Sequence, residues 1–209
     1  SKGFVGLGSR LMERLSVSDG DRIAVVYSPP PESIRSIRRK IEGSRLTASE
    51  MMSIVHDISE GSITQKEILT FVSAFTTMNS DLSEVADLAR AMASTGRTAD
   101  LGVSPVFDFH SLGGVPGNSI TPVVVSIVAS EGLVIPKMSS RAVSSACGTA
   151  DYVSTFCDVE MDIDELKDAV SEAGGVFACG NEDFAPVGRS IIEAERPLGI
   201  DPRPTMMAS

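Results

Sequence analysis

Between residues 32 and 100 apolar side chains recur at helical spacing. Ile34, Ile37 and Ile41 fall on one face, then Met51, Ile54, Val55 and Ile58. Ile68, Leu69, Val72 and Phe75 follow, and finally Val85, Leu88, Ala89 and Met92. Three of these runs start behind a polar signal. Thr47-x-x-Glu50 and Thr64-x-x-Glu67 have the form of a capping box, in which the hydroxyl takes one free amide of the first turn and the carboxylate another. Asp81-x-x-Glu84 has the same outline, and Gly96 reads as the stop of the last helix. The pattern predicts a helical domain over 32–100.

From 104 to 187 the apolar runs shorten and alternate with glycine- and serine-rich loops. Pro105 to Phe109 is a strand candidate, Ile120 to Ser130 a buried helix and Leu133 to Pro136 a short strand. Asp162 to Ala173 is amphipathic, and Gly175 to Cys179 is another strand. Such repetition predicts an α/β layer with parallel strands. Residues 1–28 read as a small β-rich piece, with a short helix over Leu7 to Leu15 and a strand over Arg22 to Tyr27. Pro29, Pro30 and Pro31 form a stiff connector. Residues 187–209 run through an acidic stretch and a proline-rich turn, with 190–209 returning to the helical domain. The expected class is α/β: a helical subdomain plus a parallel α/β sheet layer and the β-rich N-terminal piece.

Composition narrows the function classes. No apolar run reaches the ~18 residues of a membrane span. The three cysteines, Cys147, Cys157 and Cys179, have neither an even count nor C-x-x-C spacing. Their pattern points to a reducing, cytoplasmic setting and away from a disulfide framework or a zinc ribbon. Residues 1–100 hold 12 basic and 13 acidic side chains, whereas 101–209 hold 6 and 15, so the net charge of −10 sits almost wholly in the second half. An acidic chain without a basic stripe argues against a nucleic-acid polymer as partner.

Two loops carry candidate chemistry. The first, Asp108 to Asn118, leaves a predicted strand through Gly113-Gly114 and enters a helix. Amides at such a junction can cradle an anion, although a tight turn needs glycines too. The second, Lys137 to Thr149, places five hydroxyls and two cations within thirteen residues, a dense donor set for phosphate or ribose oxygens and equally the composition of a solvated loop. Both follow successive strands, and ligands of open α/β sheets bind outside the carboxyl ends of the strands.

The stretch FDFHSLGGVPGNSITPVVVSIVASEGLVIPKMSSRAVSSACGTAD resembles the thymidine and pyrimidine nucleoside phosphorylase family. Its Gly-Gly-Val-Pro-Gly-Asn and Lys-x-Ser-Ser-Arg-Ala forms look most like the archaeal AMP phosphorylase branch, as does Glu195-Arg196-Pro197-Leu198-Gly199-Ile200-Asp201-Pro202. The likeness covers essentially the whole chain. Family members are considerably longer, so the resemblance implies an internal fragment: 1–28 a remnant of a small β-rich N-terminal domain, 32–100 the helical domain, and 104–187 the first part of the α/β domain, a partial parallel α/β sheet domain. The resemblance implies phosphorolysis of the N-glycosidic bond of AMP to adenine and ribose 1,5-bisphosphate. Inorganic phosphate would be the co-substrate, with no other cofactor and no metal.

By position in the motifs, Gly114 matches a nucleotide-binding glycine. Ser111, Thr121, Ser139 and Thr149 match hydroxyls around the attacking phosphate. Ser140, Arg141, Ala142, Val143, Ser144 and Ser145 match the nucleotide-binding run. Asp201 matches the proton donor, Ser209 a substrate-contacting serine, Arg196 a base-contacting arginine, and His110 a histidine facing the base. Family members pair through the helical domain, so a homodimer or larger homo-oligomer is implied. Without the resemblance His110 reads as a core histidine at a strand end, Asp201 as a turn residue and Arg196 as a partner for Glu193 or Glu195.

Three departures support a second reading, a degenerate homologue that binds nucleotide or phosphate, or serves in assembly, without turnover. Phe109 stands where the family has a phosphate-binding lysine, and loss of such a charge-assisted bond costs about 1.5–3 kcal/mol. Val187, Gly188 and Arg189 replace an acidic stretch, and the substrate-binding lysines expected beyond Ser209 are absent. Lys137 and Arg141 are then nearly the only cations left for anions in the acidic half.

Overall fold

A computed structural model describes residues 3–27, 29–78, 80–110, 120–180, 183–199 and 202–208. The chain divides into two compact units, Ser1–Pro30 and Pro31–Ser209.

The first unit contains one helix, α1 (Ser9–Leu15), which buries no residue. The strand expected over Arg22 to Tyr27 does not form, and the unit is not β-rich: no strand occurs among its described residues. Val25, Val26 and Tyr27 are more than three-quarters exposed. An extended segment becomes a strand only when a second segment takes up its amides and carbonyls, and none does so among the described residues.

The second unit opens with α2 (Glu32–Ile41), α3 (Ala48–Ser59), α4 (Gln65–Thr77) and α5 (Leu82–Ala93). Both threonine boxes form in full. Thr47 accepts from the Glu50 amide while Glu50 accepts from the Thr47 amide at 2.9 Å, and Thr64 and Glu67 do the same. The backbone amide of each threonine, joined by its hydroxyl, holds the glutamate below its ordinary pKa. Asp81 caps α5 through the amides of Ser83 and Glu84, at 3.0 and 2.9 Å. The third box is nevertheless incomplete, because the Glu84 carboxylate turns inward. Both its oxygens accept from Lys40 Nζ, at 2.8 and 2.9 Å, and Oε1 also accepts from the Leu46 amide at 2.9 Å. Lys40 and Glu84 are each 1% exposed, and the ammonium lies 5.4 Å from the centre of the Phe75 ring.

Around this pair the bundle core contains Met51, Ile54, Phe71, Val72, Phe75 and Leu88. Complete burial of each large apolar side chain contributes about 1.5–3 kcal/mol. Two helices distant in sequence complete the bundle. α9 (Pro186–Glu195) packs on α3 and α4, and α10 (Arg203–Ala208) on α4 and α5. Val187, Ile191 and Ala194 thereby enter the core, so the return of this segment to the bundle is observed and takes the form of helices.

The remaining elements form a small α/β layer: α6 (Thr121–Ser130), β1 (Ile135–Ser139), α7 (Thr149–Val153), α8 (Ile163–Ala173) and β2 (Gly175–Cys179). β1 and β2 are parallel, with Ile135 beside Gly175 and Ser139 beside Cys179. Pro105 to Phe109 is not a strand. It makes a single parallel bridge, Val106 to Val134, with the Phe107 amide donating to the Val134 carbonyl at 2.8 Å. The strand expected over Leu133 to Pro136 runs instead from Ile135 to Ser139.

Successive side chains alternate between the two sheet faces. Val176 and Ala178 pack with Leu166 and Val170 of α8, whereas Phe177 and Cys179 meet Ala150 and Val153 of α7. α6 lies close to β2, since a Cβ on Gly175 would come within 2.8 Å of the Ala129 Cβ. The helix expected to be buried is only partly so: Val125 is covered, but Ile120, Val123 and Ile127 are more than half exposed. A sheet this narrow covers one stripe of α6 and no more.

Gly96 does not stop α5, which ends at Ala93 with Ser94 as its C-cap. It lies instead where the chain leaving the bundle passes the segment before α9. A Cβ there would sit 2.1 Å from the Phe184 carbonyl oxygen, and the Arg97 amide donates to the Asp183 carbonyl at 2.8 Å.

Candidate active site

The parallel arrangement brings three connections to the carboxyl end of the sheet: the segment after Val106, the loop after β1, and the segment after β2. Ser139, Ser140, Arg141, Ala142, Val143, Ser144, Ser145 and Thr149 all belong to the β1 end, its loop and the start of α7. His110 belongs to the neighbouring segment and Thr121 to the start of α6. Arg196 lies elsewhere, exposed in the short 3₁₀ turn Arg196–Leu198 that follows α9. Ser111, Gly114, Asp201 and Ser209 lie outside the described residues.

The loop after β1 is organised by Asp151, which sequence reasoning missed. Its Oδ2 accepts from the amides of Ala142 at 2.8 Å and Gly148 at 3.0 Å, and its Oδ1 accepts from Arg141 Nη1 at 3.1 Å. Partial burial pushes the carboxyl up, but the two amides and the guanidinium together outweigh it and leave its pKa below the ordinary value. A signal was present, because an acid three residues beyond Gly148 is where a helix start places an amide acceptor.

Arg141 is engaged on both arms. Its Nη2 donates to Glu160 Oε1 at 2.7 Å, and the Glu160 and Asp151 bonds raise its pKa. An open cleft of about 450 Å³ adjoins it, lined also by residues 154–160. Of the predicted phosphate-site hydroxyls among the described residues, Thr121, Ser139 and Thr149, none lines that cleft. The arginine therefore ties the β1 loop to the α7 side of the sheet.

The loop tolerates no bulk at its closure. A Cβ on Gly148 would lie 2.7 Å from the Ala142 amide nitrogen and 3.0 Å from the Arg141 carbonyl carbon, backbone atoms that cannot rotate away. Gly148→Ala is expected to cost about 1–3 kcal/mol of stability and to loosen the Asp151 bonds, which faster amide exchange at Ala142 would report. Unchanged exchange would show the loop held by other contacts.

Two groups stand ready for a ligand. The Thr121 hydroxyl is buried at the amino end of α6 and has no hydrogen-bond partner among the described residues. An unmatched buried hydroxyl costs about 1–3 kcal/mol, and the amino end of a helix favours an anion. Lys137 is 5% exposed, on the sheet face that carries Phe177. Its Nζ donates to the Met138 carbonyl. Burial lowers its pKa, and the charge of Asp108 partly restores it. Asp108 also lies against His110, with Oδ2 2.5 Å from Nε2, and its Oδ1 accepts from the Phe109 amide at 2.8 Å. His110 is exposed and does not belong to a core.

Comparison with known proteins assigns the two parts of the second unit. Residues 34–96 match the "Glycosyl transferase family, helical bundle domain", and residues 103–205 match the "Glycosyl transferase family, a/b domain". The chain belongs to this glycosyl transferase family. It is 41% identical over its whole length to AMP phosphorylase 1 of Archaeoglobus fulgidus, and 42% identical to AMP phosphorylase of Thermococcus kodakarensis. In each case the chain spans 42% of the relative's length. The fold is that of anthranilate phosphoribosyltransferase from Thermus thermophilus, with a TM-score of 0.71 at 21% identity, covering 83% of this chain and 53% of that one. The family's helical bundle and partial α/β sheet are thus both present, and no helix among the described residues is long and apolar enough to cross a membrane.

Proposed function

We propose that the protein is a nucleotide phosphorylase of the AMP phosphorylase type, cleaving the N-glycosidic bond of AMP with inorganic phosphate. One observation carries this reading. The β1 loop, with its hydroxyls and Asp151 clasp, stands at the carboxyl end of a parallel sheet in a chain 41% identical along its length to an AMP phosphorylase. A phosphate oxygen attacks the anomeric carbon and the carbon–nitrogen bond breaks. The electron pair leaves with adenine, and a proton reaches the departing base from Asp201. Ser111, Thr121, Ser139 and Thr149 would hold the attacking phosphate, with Gly114 and residues 140–145 on the nucleotide. His110, Arg196 and Ser209 would meet the base and sugar. No cofactor is called for, and self-association through the helical domain is expected.

Within this reading Lys137, not Arg141, supplies the positive charge. Arg141 holds two carboxylates, and Phe109 offers no charge. A second reading, binding without turnover, rests on Phe109. The decisive measurement is phosphate-dependent release of adenine from AMP by the complete protein, together with its Phe109→Lys variant. Release by the parent supports the phosphorylase. Release only by the variant assigns the protein to binding without turnover, with the lost lysine as the cause. No release by either, with AMP or with nucleosides, overturns the enzymatic reading.

A further inference from the structure

The loop after β1 is anchored at both ends and closed on a single atom. At its entry Ser139 ends β1, and the Ser139 carbonyl accepts from the Gly180 amide at 2.9 Å. At its exit α7 is seated in the core of the sheet by Ala150 and Val153, 2% and 0% exposed. Asp151 stands between these two along α7, so its carboxylate projects from a fixed frame. Its Oδ2 takes the amides of both Ala142 and Gly148, at 2.8 and 3.0 Å. Residues 143–147 therefore hang from one oxygen, with Ser144, Ser145, Ala146 and Cys147 exposed at the tip.

A capping acid takes the amide of the residue before its helix, here Gly148. The Ala142 amide lies outside that pattern. It comes from the opposite side of the loop, adds nothing to α7 and fixes how far the loop can open. The carboxylate has a cost, because it puts negative charge under a loop read as holding phosphate and ribose oxygens. Arg141 offsets that charge, with Nη1 on Asp151 Oδ1 at 3.1 Å and Nη2 on Glu160 at 2.7 Å.

We propose that Asp151 is a positioning residue that closes loop 142–148 before any ligand arrives, so that the loop meets AMP already in shape. The proposal rests on the phosphorylase reading for the ligand, and on the Ala142–Asp151–Gly148 geometry for the closure. Both oxygens of Asp151 are taken by the protein's own donors, so it acts on the ligand only through the loop. A site that is closed part of the time binds in proportion to that fraction, and the effect therefore falls on AMP affinity.

The test uses the complete protein with Asp151→Ala, which removes the acceptor, and Asp151→Asn, whose side-chain carbonyl can take both amides. In Asp151→Ala, hydrogen exchange over 142–148 should rise about tenfold from the lost bonds, while α3, α4 and α8 keep the parent's rates. Calorimetric titration with AMP should show affinity about tenfold weaker, since the ligand must then order the loop itself. Saturating AMP should accordingly bring exchange over 142–148 in this variant back to the parent's level, a response that helix capping alone does not produce. Asp151→Asn should keep the parent's exchange and affinity. Parent-like exchange over 142–148 in Asp151→Ala overturns the closure, and so does an Asp151→Asn protein as loose as Asp151→Ala. Faster exchange in α3, α4 and α8 as well assigns Asp151 to general stability and overturns the proposal. Local loosening with unchanged AMP affinity overturns it too. A parent that binds AMP and releases no adenine overturns the phosphorylase reading, while the affinity arm still decides the proposal. A parent that binds no AMP overturns both.

Discussion

Replacing Lys40 with methionine is expected to destabilise the protein by about 3–5 kcal/mol, the cost of leaving a buried charge without its partner. Methionine fills most of the lysine volume, so a large loss would come from charge and not from a cavity. Glu84 would then sit in the bundle with the Leu46 amide as its remaining bond, 2.9 Å away, and with the Phe75 ring where the ammonium had been. Denaturant unfolding followed by circular dichroism measures the loss. The double variant Lys40→Met, Glu84→Leu removes both charges and should recover much of it, because a well-packed apolar pair can replace a buried ion pair at little cost. Recovery will be incomplete, since the Leu46 amide loses its acceptor. A Lys40→Met protein as stable as the parent would show that Glu84 is not held as a buried anion.

The largest functional effect is expected at Lys137. Lys137→Met should weaken binding of inorganic phosphate to the complete protein by about tenfold to a hundredfold, the usual value of a charge-assisted bond. Lys137→Arg should retain part of the affinity. Burial holds the amine below its ordinary pKa, so in the parent the charge is lost sooner as pH rises than on an exposed lysine. Phosphate affinity should therefore fall as pH climbs through the lowered value. In Lys137→Met that alkaline fall should disappear. Calorimetric titration across pH measures both arms. Equal affinity in parent and variant would remove Lys137 from the site and return the question to Arg141, whose release from Glu160 would then have to precede binding.

Both predictions concern residues whose roles the sequence left open. Ile54, Ile68, Phe75 and Leu88 could be placed from spacing alone, because an amphipathic helix exposes its periodicity in one dimension. Thr47 with Glu50 and Thr64 with Glu67 were equally legible, since each partner lies three residues away. Gly175 to Cys179 was legible as well. The candidate loop was found from its density of hydroxyls and from family motifs, and its position after a strand holds. Segments needing a distant partner were misread. Arg22 to Tyr27 has the composition of a strand but no neighbour to pair with. Pro105 to Phe109 reaches only one bridge. Ile120 to Ser130 is apolar enough for burial, yet its narrow sheet covers one side.

The sequence by itself determined where α3, α4 and α5 start and which faces they bury, but not the face of α2, where Lys40 is buried and Ile41 exposed. It also determined the family, because both kinds of information lie in residues close together along the chain. Only the tertiary structure decided that Glu84 leaves its capping position for Lys40, forty-four residues away, and that Arg141 is held by Asp151 and Glu160. Only the structure joined Glu195 of α9 to Thr205 of α10, ten residues on. The physical reason is common to all three. A charged or hydroxyl side chain can satisfy its bonding in water, at its own helix end or across the core, and local sequence does not separate these outcomes. Burial removes water as an option, and only the folded chain shows which partner then stands within reach.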